Sequence, residues 1–344
     1  MTKLRYPEKK YLSKYDLSQE FFENLNIKVL DVIPLRKVFI LKTETGKKIL
    51  KRLDCDKERA DFINICIKSL RDNFNYMVEF NTFEDDKVYK EWKNQYYILM
   101  NLIPGREVTF TNPVEFNLSG ELLGKYHKAS KEALKSAIAL GIDESMVKKY
   151  EKAIIDIKEI KRLVNSYRFK DEFDKMFLNS VDEHIIEMKK ALELLSFSSY
   201  NSYRKDINNC VICHNDLAEH NFLISNQGMY LLDFDYCSID LKVIDLADLI
   251  LKGIKNVAFN FEKAIDLIKS YNSIEPLNTE DFKLLYILIL FPRDFYTIVS
   301  DYYHKNKEWD KEVFLNRFQN KLDNEEFRKE FLRNYKRELK EKFY

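Results

Sequence analysis

The stretch from Val211 to Asp235, VICHNDLAEHNFLISNQGMYLLDFD, constrains this chain more than any other. Two apolar runs, Phe222 to Ile224 and Met229 to Leu232, flank Ser225-Asn226-Gln227-Gly228, so the segment reads as a β-hairpin closed by a polar turn containing glycine. Asn221 and Asp233 then fall at its open end. Antiparallel neighbours lie about 5 Å apart, which lets the amide of Asn221 and the carboxylate of Asp233 coordinate one Mg²⁺ at about 2.1 Å. Asp216 lies in a polar loop just after the strand-like run Val211 to Cys213. Ionised, it only accepts hydrogen bonds, and it is placed to take a hydroxyl proton. A base followed by metal ligands is the equipment of phosphoryl transfer.

His214-x-Asp216-x-x-x-x-Asn221 followed by Asp233-Phe234-Asp235 is the catalytic-loop and metal-loop pair of the protein-kinase-like fold. The first motif alone is matched by many chance loops rich in His, Asp and Asn. Both motifs on one hairpin favour the kinase-like reading. Within the catalytic loop His214 has an architectural part, because Asp216 already supplies the base; His220 has no evident role.

The 344 residues suggest about two domains at the usual ~150 residues each, enough for a sizeable core. With 57 Lys and Arg against 56 Asp and Glu, no global field favours nucleic acid or an anionic membrane. Gly and Pro are scarce, which argues against low-complexity segments. Five cysteines without regular spacing point to a reducing compartment and buried thiols, and Cys210-x-x-Cys213 lacks the second pair that a zinc site needs. The N-terminal MTKLRYPEKKYLSKYD has no apolar core of a signal peptide, and no apolar run reaches ~20 residues. A protein of the cytoplasm, with no membrane or nucleic-acid partner, is expected.

Before the hairpin the pattern is β-rich. Val29 to Pro34, Val38 to Lys42 and Lys48 to Leu53 read as strands, the last two joined by a turn at Thr43-Glu44-Thr45-Gly46. Alternation places Lys51 on the same strand face as Ile49; Lys51 is the candidate phosphate lysine and Ile49 a wall of the base pocket. Asp56 to Asp72 follows as a helix with Phe62, Ile65, Cys66 and Leu70 on one face. Its first turns offer Glu58, and second to it Asp61, as the acid that fixes the lysine. Tyr76 to Phe83, Lys87 to Trp92 and Gln95 to Ile103 read as three more strands. Pro104-Gly105 then breaks the pattern, leaving Asn101 and Leu102 as hinge backbone for an adenine edge. From Pro113 the chain turns helical, with Phe116, Leu118, Leu122, Leu123 and Tyr126 in one stripe ending near a packed or capping His127. Helices are expected at Lys148 to Val164, Phe173 to Leu195, from Ile244, and at Ala258 to Tyr271, Thr279 to Leu290, Pro292 to Tyr303 and Asp323 to Phe343.

The fold expected is α+β and bilobal: a small antiparallel-sheet N-lobe with one helix over residues 1–103, and a large, mainly helical C-lobe over 104–344 carrying the catalytic hairpin. HNDLAEHN with LLDFD resembles the aminoglycoside phosphotransferase and choline kinase superfamily. ILKRLD, KERADFI, LMNLIPGRE, LLGKYHKAS, EFDKMFL, CHNDLAEHN, LLDFDYCSIDLKVIDLADLI and FPRDFYTIVSDYYHKNKEW, in that order, are similar to the CotS family of bacterial spore coat proteins. This resemblance implies synthesis in the mother cell, deposition in the spore coat and other coat proteins as partners. It implies ATP and Mg²⁺ as cofactors, Lys51 on phosphate with Glu58 beside it, Asp216 as base, Asn221 and Asp233 on the metal, and Asp245 bracing the catalytic loop. The acceptor implied is a small hydroxyl-bearing molecule, a sugar, amino sugar or amino alcohol, with Asp235, Asp294, Tyr302, Tyr303 and Trp309 as candidate contacts. A purely structural coat component without activity is the alternative.

Two departures from the superfamily stand out. The segment Asp31 to Lys37 carries no glycine to close over phosphates, leaving Arg36 or Lys37 to compensate. Ala218 stands where many of these kinases keep a His or Lys beside the transferred phosphoryl.

Overall fold

The computed structural model describes residues 17–35, 38–136 and 144–343. They fall into two compact units. One holds the described residues up to Val108, those of 129–136 and Glu219–Cys237; the other holds Thr109–Lys128, 144–218 and Ser238 onward. The α+β composition expected from the sequence is the one observed.

In the first unit β1 (Val29–Leu35), β2 (Val38–Thr43), β3 (Gly46–Leu53), β4 (Tyr89–Trp92) and β5 (Gln95–Asn101) form an antiparallel sheet in the order β1-β2-β3-β5-β4. Period-two alternation buries Phe39 and Leu41 of β2, Leu50 of β3 and Tyr97 and Leu99 of β5 in one core with Phe21 of the short helix Gln19–Glu23. The β2–β3 turn is tighter than its sequence suggests: the strands close at the Thr43↔Gly46 pair, and Gly46 sits at φ +119, where a side chain would be strained. Arg36 and Lys37 lie outside the described residues.

The helix Lys57–Arg71 starts at Asp56, whose side chain accepts the Arg59 amide. Its buried face is Ala60, Ile63, Cys66, Ile67 and Leu70, so the expected stripe is corrected: Phe62 is half-buried and Ile65 exposed. Counting back from Leu70 in steps of three or four reaches Ile67, Ile63 and Ala60, and residues 62 and 65 fall on the flank. Tyr76 to Phe83 is not a strand. It makes only single bridges, Met77 with Leu231 and Phe80 with Met100. Tyr76 offers its carbonyl to the Leu231 amide, while Glu79 and Asn81 bond to β5, so no continuous ladder forms with either neighbour. Beyond Pro104-Gly105 the two-residue β6 (Arg106–Glu107) pairs with the hairpin strand Phe222–Ser225. A Cβ at Gly105 would come within 2.5 Å of the Ile224 carbonyl oxygen, so this glycine serves close backbone approach as well as chain reversal.

The second unit packs helices around the two-stranded antiparallel pair Cys210–Cys213 and Ser238–Leu241. Met146–Ser166 and Glu172–Phe197 match the two long amphipathic helices read from the sequence, the second opening in a capping box of Asp171 and Asp174. Strand Ser238–Leu241 and helices Tyr200–Lys205 and Lys311–Asp323 had no distinct sequence signal. The helix expected from Ala258 begins at Phe261, because Ala258 and Phe259 take left-handed backbone and Asn260 caps the next residues. Leu118 is exposed and lies off the stripe that buries Phe116, Leu122, Leu123 and Tyr126. All five cysteines are free, and Cys210 and Cys213 lie buried in one strand. Among the described residues no helix is long and apolar enough to cross a membrane.

Two tests follow from this packing. A Cβ at Gly253, in the helix Val243–Ile254, would meet the Phe116 ring at 2.1 Å. Gly253→Ala is therefore expected to cost about 1–3 kcal/mol by overpacking, despite the better helix propensity of alanine, as read by urea denaturation. Glu325 is the second. Burial opposes its charge, but His184 and Arg328 outweigh that and hold its carboxyl down to about 2. A depressed acid stabilises above its unfolded value and loses that stabilisation as pH falls through the folded one. The stability gap between wild type and Glu325→Gln should be roughly 2–3 kcal/mol at neutral pH and close to zero by about pH 2.

Candidate functional site

In the first unit β3 presents Lys51 toward the end of the hairpin. The hairpin is built as read, with Phe222–Ser225 paired to Gly228–Leu231. The Leu232 amide donates to the Asn221 carbonyl at 2.8 Å, which fixes the backbone of Asn221 beside the residue preceding Asp233. Asn221 is buried and Asp233 adopts φ 68, a left-handed conformation that costs energy for any residue but glycine and is typical of functional loops. Lys51 Nζ lies 2.6 Å from Asp233 Oδ1 and 2.7 Å from Asp235 Oδ2. Burial lowers the affinity of Lys51 for its proton, but the charges of Asp235 and Asp233 outweigh burial and hold the ammonium above the ordinary lysine range. Burial, with Asp233 adding to it and Lys51 opposing, pushes the Asp235 carboxyl up to about 6. Two carboxylates share one ammonium, and the excess charge is negative.

Glu58 does not meet Lys51. It is exposed in the first turn of its helix, and Asp61 accepts the Tyr89 hydroxyl at 2.5 Å instead. Arg59, which the sequence reading passed over, turns inward, and its Nη2 donates to the carbonyls of Asp235 (2.7 Å) and Cys237 (2.6 Å). The helix thus holds the Asp233–Cys237 loop by its backbone. Ile49 is half-buried on β3, opposite Ile40 and Met100. The hinge amides are already donated, Asn101 to the Glu79 carbonyl (2.9 Å) and Leu102 to that of Lys47 (3.1 Å). Neither N–H is open to an adenine edge, so of that backbone only the carbonyls are left for it.

In the second unit the strand Cys210–Cys213 delivers His214, Asn215 and Asp216. Asp245, fully buried in the first turn of Val243–Ile254, accepts the amides of His214 (2.6 Å) and Asn215 (2.8 Å) and contacts His127 Nε2 at 3.1 Å. His127 Nδ1 meets the Tyr271 hydroxyl at 2.7 Å, so this histidine is a packed bridge; burial lowers its proton affinity even though Asp245 pulls the other way. Asn215 takes φ 63 and donates its amide group to Ser238 Oγ, turning the chain so that Asp216 follows. His214 is wholly buried, and its Nδ1 accepts the Asp216 amide at 3.3 Å.

Asp216 Oδ1 receives Lys252 Nζ at 2.7 Å. Lys252 also reaches Asp248 Oδ2 at 2.9 Å, and that oxygen accepts the Leu217 amide at the same distance. Arg293 closes the set on Asp248 Oδ1 at 2.7 Å. Burial alone would raise the Asp248 carboxyl, but Arg293 and Lys252 hold it below the usual range. Lys252 therefore places a cation at Asp216, where Ala218 carries none. The signal was present in the sequence as Asp248-x-x-x-Lys252, a helical i, i+4 pair. Nothing in the sequence tied that pair to the loop.

Residues 45–335 match the family described as "Spore coat putative kinase YutH". The chain belongs to that family. "Spore coat protein S" of Bacillus subtilis (strain 168) is 24% identical over 293 residues, which is 83% of this chain and 82% of that one. The solved structure of an aminoglycoside phosphotransferase from Alicyclobacillus acidocaldarius superposes with a TM-score of 0.78 at 16% identity, covering 94% of this chain and 96% of that one. The AMP-bound spectinomycin phosphotransferase APH(9)-Ia gives a TM-score of 0.65 at 15% identity, covering 90% of this chain and 97% of its own. This YutH-family chain thus carries the kinase-like fold of small-molecule phosphotransferases.

The residues named for the acceptor divide. Tyr302 and Tyr303 donate to Asp171 and Asp174, each at 2.8 Å, and Tyr302 stacks on Phe173 at 3.8 Å, so both lock the opening of the helix Glu172–Phe197. Trp309 lies under the Arg317 guanidinium at 4.1 Å. Asp294 pairs with Lys255 and Lys321.

Replacing Asp245 removes the acceptor of two backbone amides. Each buried amide left unpaired costs about 1–3 kcal/mol, so Asp245→Ala is expected to lose roughly 3 kcal/mol or more in urea denaturation. A loss below about 1 kcal/mol would mean that other groups hold the loop.

Proposed function

We propose that this protein is a spore coat component that binds MgATP and transfers its γ-phosphate to a hydroxyl of a small molecule. The observation carrying this reading is the Lys51–Asp233–Asp235 cluster, which joins the candidate phosphate lysine to the candidate metal carboxylate across 182 residues of sequence. The donors fit Mg²⁺: Asn221 and Asp233 offer only oxygen, and the negative excess around Lys51 suits a divalent cation. Among the described residues no three His, Cys, Asp or Glu side chains form a metal cluster of their own. That is compatible with Mg²⁺, which is commonly held by one or two carboxylates together with substrate phosphates.

In this reading Asp216 accepts the proton of the acceptor hydroxyl, and Lys252 keeps its carboxylate oriented. Lys51 neutralises phosphate oxygens, with Ile49 and the carbonyls of Asn101 and Leu102 on the nucleotide side. Mg²⁺ supplies further charge neutralisation on the phosphates. Glu58 has no part in it, and the lysine is held by the metal loop.

A second reading, a coat component without turnover, is favoured by the inward-donated hinge amides and by the absence of glycine between Asp31 and Lys37. Melting with and without MgATP separates the two. Saturation at ~100-fold the dissociation constant should add about 2.7 kcal/mol to the folded state. The shift is expected in wild type, with a requirement for Mg²⁺, and to vanish in Asp233→Ala; no shift at millimolar MgATP would leave the structural reading. Once an acceptor is identified, Asp216→Asn should lower kcat by about 10²-fold or more. Detection of the protein in purified spores tests the coat location.

A further inference from the structure

The second unit contains a cavity of about 500 Å³ whose polar wall is formed by Lys255, Arg293, Arg317 and Lys321 around Asp294, with Arg328 and Glu325 at another edge. Five cationic side chains face two carboxylates. Asp294 is shared, 3.2 Å from Lys255 Nζ and 3.6 Å from Lys321 Nζ. Glu325 is taken by Arg328 and lies near His184. Arg293 turns one nitrogen to Asp248, outside the cavity. Arg328 is also paired with Glu187, and with these outside carboxylates counted one positive charge remains in excess.

We propose that this cavity is a binding site for a small molecule bearing a phosphate group. Three observations converge on it. The excess charge is positive, and Lys255, Lys321 and Arg317 offer an anion with several oxygens more than one N–H donor. Arg317 and Lys321 lie one turn apart on the helix Lys311–Asp323 and Lys255 ends the helix Val243–Ile254, so the cluster needs both helices to be brought together by the fold. The rest of the lining includes Leu251, Phe259, Phe291 and Phe295, apolar groups that would take the body of an ester.

The local electrostatics agree. Burial, with Lys255 and Arg317 adding to it and Asp294 opposing, depresses the Lys321 ammonium below the ordinary lysine range, while Asp294 is held down to about 2 against the effect of burial. The cavity's excess of positive charge disfavours a polycation. Arg293 belongs both to its wall and to the Asp248–Lys252 network that holds Asp216, so the site borders the base of the proposed reaction but does not depend on that reaction.

Calorimetry and thermal melting on the full-length protein test the site, using inorganic phosphate, glycerol 3-phosphate and spermidine as probes. Phosphate and its ester at about 10 mM are expected to raise the melting temperature while spermidine does not. Tighter binding of the ester assigns an esterified ligand, and tighter inorganic phosphate assigns the free ion. Lys255→Gln combined with Lys321→Gln should weaken binding about tenfold or more, and Lys51→Met should leave it unchanged. Arg317→Gln leaves the Asp294 pairs intact and supplies a second variant, expected to weaken binding about threefold if the double variant does not fold. Absence of any shift with both phosphate probes, or affinity unaltered by these cavity substitutions, overturns the proposal. Loss of binding in Lys51→Met overturns it too, by assigning the phosphate to the first unit. MgATP binding that fails while phosphate binding persists removes the kinase reading and leaves this site standing.

Discussion

A carboxylate with no solvent exposure is an expensive thing to bury, and Asp245 is tolerable only because its oxygens are occupied. Two backbone amides and one imidazole face it, and it sits in the first turn of a helix, where the peptide dipoles favour negative charge. The dependence runs both ways. The amides of His214 and Asn215 have left their strand and would be orphaned in the interior without this acceptor. The loop that positions Asp216 and the helix that carries Asp245, Asp248 and Lys252 therefore form one polar assembly inside an otherwise apolar packing. His127 and Tyr271 extend it, and burial lowers the proton affinity of His127.

The first unit solves a related problem by another arrangement. Lys51 is largely buried and needs compensation, and it takes both carboxylates of the Asp233-Phe234-Asp235 loop. That loop is bent through a left-handed aspartate, a conformation the surrounding bonds must enforce. The enforcement is visible in the Leu232–Asn221 hydrogen bond on one side and the two carbonyls clamped by Arg59 on the other.

Much of this was legible in the chain because it is local. The hairpin, its turn, the sheet strands and the two long helices before it all follow from periodicity and turn chemistry, and His214, Asp216, Asn221, Asp233 and Asp245 could be named from spacing and family resemblance together. What escaped was set by contacts distant in sequence. Ile63 and Ile67, not Phe62 and Ile65, form the buried helix face because the packing chose between two overlapping apolar stripes. Tyr76 to Phe83 has strand-like composition but divides its hydrogen bonds between two partners. Tyr302 and Tyr303 looked like ligand-facing aromatics and instead cap a helix 130 or so positions upstream. Lys252 and Arg59 are unremarkable in a chain this rich in cations, and only the folded partners distinguish them.

The Arg59 clamp bears on how the Asp233–Cys237 loop can vary. It grips the main-chain oxygens of Asp235 and Cys237, and every amino acid presents a carbonyl. The tether therefore places no demand on the identity of the side chains it holds. In a kinase where a helical glutamate grips the lysine, helix position and lysine position are one variable. Here the lysine answers to the loop and the loop answers to the helix through its backbone, so what restricts residue 237 is the packing around its buried side chain and not the tether.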